Sequence, residues 1–266
     1  MKKPESAKGY YSLLPWIIPG AFVSAWVIFS YAGLIPDYLL PHPLTIIKTG
    51  YGYIFSYNTS SIYSGRFLSD AEASLTRVCF GFICATLCGL PLGVLSGRLA
   101  TVNRLLNTFV NGLRAVPGIT WLPLAMVWFG IGIKTTVFLV ALAAFFPIYL
   151  NTAAGAQQVN IRLLQAGAMM GVGRFAGTFH ILLPGSMPHI MTGLRLGLGI
   201  SWAYLVLGEL TGVPNGLGAV IMDARMLGRV DMIVVGMLII ATVGRLSDGL
   251  LVTFLKTCFK SARRMS

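Results

Sequence analysis

Four charged residues interrupt apolar stretches in the second half of the chain, and these are the side chains most in need of a partner. Arg195 and Glu209 belong to one stretch, and Arg245 and Asp248 belong to the last. A charge at the centre of a membrane helix costs about 2.5–3.5 kcal/mol on insertion scales, so we expect each to be paired. The eight acidic residues and three histidines are dispersed, so neither a catalytic cluster nor a metal site is expected.

Positions along the two stretches predict which charges pair. At 1.5 Å per residue, Arg195 lies about 8 Å and Asp248 about 10 Å from the inner ends of their helices, which predicts a contact between helices. An Arg245–Asp248 pair, three residues apart on one helix, is an equal alternative. Glu209 lies near an outer helix end, where Arg77 is its expected partner. The alternative is that Glu209 shapes the outer mouth of a pathway.

The composition indicates which solvent surrounds these helices. Residues of the Ala, Val, Ile, Leu, Met, Phe, Trp, Tyr and Cys types make up 56% of the chain, only 11% are charged, and the mean hydropathy is +0.77. A soluble domain carries about 25% charged residues, so a lipid bilayer is the expected surrounding. The sequence predicts an all-α polytopic membrane protein with six transmembrane helices. These candidates cover about residues 13–34, 78–97, 115–133, 135–161, 190–210 and 232–255.

The distribution of lysine and arginine predicts the orientation. With the N-terminus inside, 12 of the 20 cations fall in inner segments and 5 in outer loops. Because cations are enriched in cytoplasmic loops, both termini are expected in the cytoplasm. The net charge of +12 then faces anionic lipid, and no nucleic-acid partner is expected. The inner cations are Lys2, Lys3, Lys8, Arg98, Arg104, Arg114, Arg162, Arg174, Lys256, Lys260, Arg263 and Arg264; the outer ones are Lys48, Arg66, Lys134, Arg225 and Arg229.

Small residues recur every four positions in the second candidate helix. This pattern lets helix backbones approach closely in lipid. Static packing and sliding of smooth helix faces during transport are both consistent with it. The residues are Gly81, Ala85, Gly89, Gly93 and Gly97, with Gly193 and Gly197 in the fifth helix.

The longest inner segment, about residues 155–189, is the expected site of function, because long loops in compact proteins are usually functional. Ala166, Gly167 and Ala168 would give its first short helix a nearly bare side, which suits docking into a groove on another protein. Gly171 and Gly173 are expected to end that helix. Farther along, Ile181-x-Leu183-Pro184 leads into the fifth candidate helix.

This segment resembles the cytoplasmic loop of ABC importer permeases, whose pattern is E-A-A-x3-G-x9-I-x-L-P. The spacing matches throughout, with Gln165 in place of the Glu and Gly167 in place of the second Ala. Other motifs between about residues 70 and 255 resemble the nitrate/sulfonate/taurine permeases, and the aliphatic sulfonate permeases most closely. They include Ala115-Val116-Pro117, Trp121-Leu122-Pro123-Leu124 and Trp128-Phe129-Gly130-Ile131-Gly132.

The resemblance implies the type I ABC importer permease fold in a bacterial inner membrane. Two copies of the chain, expected as a homodimer, would form the pore. A dimer of cytoplasmic ATP-binding subunits would grip the inner loop, and a soluble or lipid-anchored binding protein would deliver a small anion such as an aliphatic sulfonate, taurine or nitrate. The implied coupling residues are Gln165, Ala166, Gly167, Gly171, Ile181, Leu183 and Pro184.

The chain is expected to be neither an enzyme nor the holder of a cofactor. It contains no Gly-Lys pair and therefore no P-loop motif, so ATP is expected on the partner subunit. Trp121 and Trp202 are candidates to line the pathway, with packing as the alternative. The competing function is a secondary transporter driven by an ion gradient, which would place carboxylates or broken helices at the midplane.

Three regions are expected along the chain. Residues 1–69 would form the N-terminal tail, the first helix and an outer segment. Residues 70–255 would form the core permease domain, and residues 256–266 a basic cytoplasmic tail.

Overall fold

The structure, a computed structural model, describes residues 7–33, 36, 38–55 and 62–258, and these are built from helices without a β-strand. The predicted all-α fold is therefore confirmed. Lys2, Lys3 and the basic tail from residue 259 lie outside the described residues. The helices are α1 (Ala7–Tyr31), α2 (Pro43–Phe55), α3 (Phe67–Arg98), α4 (Ala100–Ala115), α5 (Trp121–Phe129), α6 (Ile133–Gln158), α7 (Ile161–Met169), α8 (Arg174–Gly177), α9 (Leu183–Glu209), α10 (Leu217–Met226) and α11 (Val230–Cys258).

Four helical segments of the described chain are long and apolar enough to cross a bilayer. They are α3, α6, α11 and the continuous segment Arg174–Glu209, in which α8 passes through a π-helical turn, Thr178–Leu182, into α9. In α1, Ile17–Tyr31 is a shorter apolar helix, so a crossing there stays a prediction. These segments agree with a multi-pass membrane protein.

The third candidate span, residues 115–133, contains only the short helical segment Gly118–Phe129. Together with the preceding α4, this segment forms a bent pair that the sequence does not predict. α4 and the segment Gly118–Phe129, which contains α5, meet at an angle of 80°. At the break, Val116 and Pro117 have extended backbone, with ψ of 119° and 130°. Proline cannot continue a helix and biases the preceding residue away from helical geometry, so the chain turns here.

The described residues divide into two compact units by their internal contacts. One unit contains α1, α2 and Asp223–Val235. Within it, Thr49 Oγ1 donates to Asp231 Oδ2 at 2.8 Å and Arg229 forms a salt bridge with the same carboxylate at 2.7 Å. The second unit contains Phe67–Met222 and α11 from Gly236 onward.

Helix α6 lies at the centre of the second unit, between α3 and α9. The small residues that the sequence singled out face α6 from both sides. A Cβ added at Gly93 of α3 would lie 2.7 Å from Thr152 Cβ, and one added at Gly193 of α9 would lie 2.9 Å from Asn151 Cβ. Both distances are too short for any larger residue, so α3 and α9 can approach α6 only because these positions are glycine.

Candidate functional site

Helix α7 lies in the inner loop and is terminated at both ends by local signals. At its start, the Asn160 side chain accepts a hydrogen bond from the Arg162 backbone N–H at 2.9 Å, an N-cap. At its end, the Val172 N–H donates to the Gly167 carbonyl at 2.9 Å and the Gly171 N–H to the Ala168 carbonyl at 3.0 Å. This is a Schellman motif, and Gly171 occupies its left-handed position with φ of +82°.

Replacing Gly171 with Ala should fray the end of α7, because the left-handed conformation costs an L-residue about 1–2 kcal/mol. Hydrogen–deuterium exchange of the 166–172 amides should accelerate by roughly tenfold, the rate factor for about 1.4 kcal/mol. Gly171→Asn is the matched control, since Asn tolerates this conformation better and should show a smaller change. Equal exchange in the wild type and Gly171→Ala would show that the cap does not hold the helix end.

The small residues of α7 face in different directions, some toward solvent and one toward the interior of the loop. Ala166 and Ala168 are exposed, but Gly167 is buried. A Cβ at Gly167 would lie 2.6 Å from Ile181 Cδ1, because α7 packs on the π-helical turn. Gly167 and Ile181 therefore contact each other inside the loop, and Gly167 does not belong to the free docking face that the sequence predicts.

The remaining loop residues have distinct positions. Gln165 is exposed on α7, whereas Leu183 and Pro184 are the first two residues of α9. Proline is well accommodated there, because the first turn of a helix has no internal partner for its N–H groups. The residues of the matched pattern therefore lie on α7, on the π-helical turn that packs against α7, and at the start of the long apolar helix α9.

Two large apolar side chains, which the sequence does not single out as site residues, project from the end of α7. Met169 and Met170 are each 84% exposed, and Phe175 on the following α8 is exposed as well. The signal was present as two adjacent methionines just before the terminating Gly171. Exposed apolar side chains in a cluster mark interaction surfaces, and methionine adapts readily to the shape of a partner.

The structure places all the predicted charge partners in contact. Arg195 donates to Asp248 twice, from Nε to Oδ1 and from Nη2 to Oδ2, both at 2.9 Å. Arg245 Nη1 also donates to Asp248 Oδ2 at 3.1 Å. The two alternatives from the sequence therefore coexist on one carboxylate, since its two oxygens accept from both arginines.

Replacing Arg195 with Met and Asp248 with Asn, singly and together, should reveal a coupling free energy of about 0.6–1.7 kcal/mol, the range seen for polar pairs in membrane helices. Denaturation in mixed detergent micelles would measure it. The matched double-mutant cycle of Arg245→Met with Asp248→Asn should give a smaller coupling free energy, because Arg245 makes one hydrogen bond to Asp248 and its side chain is 78% exposed. Strictly additive effects for Arg195 and Asp248 would contradict the interhelical role.

Glu209 is the centre of a buried network at the C-terminal end of α9. Arg77 Nη1 lies 2.5 Å from Glu209 Oε1, and both side chains are buried. The carboxylate also accepts from Ser74 Oγ at 2.8 Å and from the Gly218 N–H at 2.7 Å. Arg77 in turn donates to the Asn215 carbonyl at 2.7 Å. Because Glu209 is fully buried, the structural role is favoured over the shaping of an outer mouth.

A cavity of about 440 Å³ lies among α4, α5, α6 and α9. Trp121, a predicted pathway residue, lines it. Trp202 does not line it, because the indole is 5% exposed in the core and its Nε1–H donates to Ser247 Oγ at 3.0 Å. Arg114 also lines the cavity, together with Asn151 and Tyr204. In the sequence this residue is recognised only as one of the inner cations.

Comparisons with known proteins agree on one family. Residues 89–262 match the family described as binding-protein-dependent transport system inner membrane component. The chain is 31% identical to a putative aliphatic sulfonates transport permease protein of Bacillus subtilis (strain 168), an alignment covering 93% of this chain and 87% of that protein. It is 36% identical to the taurine transport system permease protein of Escherichia coli (strain K12), covering 85% and 81% respectively over 226 residues.

A solved structure shares the fold. A chain of the MetNI methionine ABC transporter, in an inward-facing conformation, superposes with a TM-score of 0.58 at 19% identity. The superposition covers 70% of this chain and 94% of that chain.

Proposed function

Because the chain belongs to the family of binding-protein-dependent transport system inner membrane components and is the permease subunit of an ABC importer, we propose that it carries a small anion of the aliphatic sulfonate, taurine or nitrate type. The names of two relatives, which specify aliphatic sulfonates and taurine, support this substrate class. Both kinds of solute carry a sulfonate group.

The packing of α7 in the inner loop is the main support for the proposed coupling mechanism. α7 exposes Ala166, Met169 and Met170, and Gly167 anchors it on the π-helical turn. That turn belongs to the 36-residue helical segment Arg174–Glu209, which runs into the membrane. A subunit that grips α7 therefore pulls on a continuous helix, and the same helix contributes Ile200 and Tyr204 to the cavity wall. ATP-driven motion at the loop would in this way reach the cavity.

The assembly follows from what the chain lacks and what it exposes. ATP binds to a separate pair of cytoplasmic subunits, since this chain has no Gly-Lys pair for a P-loop. A second copy of the chain completes the pore around a two-fold axis. A soluble or lipid-anchored binding protein delivers the substrate from outside, and both termini lie in the cytoplasm, in keeping with the distribution of cations.

The secondary-transporter alternative is disfavoured by the partners of Glu209 and Asp248, the two acidic residues that interrupt the apolar stretches of α9 and α11. Glu209 is paired with Arg77, and Asp248 is bonded to two arginines. An ion- or proton-coupled carboxylate must exchange its cation during transport, which these stable partners oppose.

Reconstitution provides the test of the proposed function. The chain would be placed in proteoliposomes with its ATPase subunit and binding protein, and uptake of radiolabelled taurine and ethanesulfonate would be measured. We expect uptake to require ATP and the binding protein and to be insensitive to a protonophore; a non-hydrolysable nucleotide serves as the control. Uptake that continues without ATP and stops with the protonophore would overturn the proposal.

A further inference from the structure

The break between α4 and α5 forms one wall of the cavity. Val116, Pro117 and Gly118 line it, and the first two of these have extended backbone. Non-helical backbone at membrane depth is tolerated where it is buried in protein or faces a water-filled space. The break therefore indicates a hydrated cavity, and the paired ends of broken helices are a recurrent setting for ion and substrate sites in transporters.

The cavity lies along the middle of α6. Its lining on α6 runs from Leu142 to Asn151, and Phe146 is about 20 Å from the first residue of that helix at 1.5 Å per residue. The 26 residues of α6 span about 39 Å, so a solute beside Phe146 would be about halfway along this helix.

Arg114 places a positive charge on this cavity without a negative partner. It belongs to the last turn of α4, and it forms no salt bridge within the part of the chain that the structure describes. None of the residues that line the cavity is acidic. No described side chain neutralises this guanidinium, so an anion that enters the cavity would supply the partner it lacks.

Further hydrogen-bond donors converge on the same space. Asn151 uses one amide hydrogen on the Pro147 carbonyl at 2.8 Å, and its second amide hydrogen stays available. The Tyr204 hydroxyl lies directly over the Cα of Gly118, where any side chain would overlap the ring.

The rest of the lining is apolar and aromatic, with Trp121, Phe146 and Ile200 among its members. A guanidinium fork beside amide and hydroxyl donors matches a head group with several oxygen atoms, and the apolar walls match a short alkyl chain. Nitrate offers only the first of these features, whereas a short alkanesulfonate offers both.

We propose that this cavity is an anion-binding site on the transport path, in which Arg114 binds the oxygen atoms of a short alkanesulfonate and the apolar wall contacts its alkyl chain. The inference rests on the proposed function, because it assumes that the solute crosses this subunit. It adds that the permease itself, and not only the binding protein, selects the substrate.

The test compares Arg114→Gln with Arg114→Lys in the reconstituted importer. Arg104→Gln is the matched control, since Arg104 belongs to the same helix and does not line the cavity. We expect Arg114→Gln to lower ethanesulfonate uptake at least tenfold while the complex with the ATPase subunit still assembles. Arg114→Lys keeps the charge but not the fork, so it should raise the half-saturating concentration with a smaller loss of rate. Arg104→Gln should stay within twofold of the wild type.

Direct binding supplies a second measurement. Ethanesulfonate added to the purified permease–ATPase complex without binding protein should quench the Trp121 fluorescence in a saturable way, with Trp121→Phe as the control. Arg114→Gln should abolish this signal. If Arg114→Gln does not assemble with the ATPase subunit, the half-saturating ethanesulfonate concentration of Arg114→Lys becomes the test of the anion site.

The outcomes separate the two proposals. A wild-type complex that shows no ATP-driven uptake removes the proposed function. A wild-type complex that transports, with Arg114→Gln transporting and binding equally well, removes only the anion site. An unchanged half-saturating concentration in Arg114→Lys likewise overturns the anion site.

Discussion

Replacing Met169 and Met170 together with Asp is expected to abolish ATP-driven uptake and to leave the permease folded. Both side chains are 84% exposed, so the substitutions disturb no packing within the chain. A carboxylate cannot be desolvated in an apolar groove of a partner without a large cost. Loss of a central apolar contact at an interface costs about 2 kcal/mol or more, which weakens association roughly 30-fold.

Affinity for the ATPase subunit and uptake in proteoliposomes are the two measurements. Met226→Asp is the matched control, because Met226 is also an exposed methionine, at 75%, and lies on the outer side of the predicted topology. It should bind the ATPase and transport as the wild type does. Wild-type uptake by the double variant would exclude α7 as the coupling surface. Gly167→Trp is a poorer probe, since Gly167 packs against Ile181 and the change would disturb the loop itself.

Replacing Arg77 with Met is expected to destabilise the protein by about 3–5 kcal/mol, the cost of removing one member of a buried ion pair. Glu209 would remain buried with its charge uncompensated, held only by Ser74 and the Gly218 N–H. The loop before α10 would also lose the hydrogen bond from Arg77 to the Asn215 carbonyl. Unfolding in mixed detergent micelles would measure the change.

A second substitution distinguishes loss of charge balance from loss of packing. Arg77→Met combined with Glu209→Gln should regain much of the stability, because Gln keeps an acceptor for Ser74 and Gly218 without carrying a charge. Arg245→Met is the exposed control and should cost at most about 1 kcal/mol. A cost below about 1 kcal/mol for Arg77→Met would show that the buried pair does not hold the outer ends of α3 and α9 together.

The sequence was sufficient for features that depend on distance along the chain. The lengths of the apolar runs identified α3, α6, α9 and α11 as spans. Helical rise alone placed Arg195 and Asp248 at matching depths, and they are in contact. The spacing between Gln165 and Pro184 indicates the family, because α7, its terminating Gly171 and the start of α9 follow one another at fixed distances along the chain.

Only the tertiary structure decided which way each side chain faces. In the sequence, Arg114 is only one of the cations that set the orientation. In the structure it lines the cavity among α4, α5, α6 and α9, because the chain turns by 80° just after it. Gly167 and Trp202 face inward because α7 folds back on the π-helical turn and α9 packs in the core. Spacing in a sequence sets the position of a residue along its helix. The contacts of its side chain depend on how the helices rotate and bend, which is determined by packing partners that are distant in the sequence.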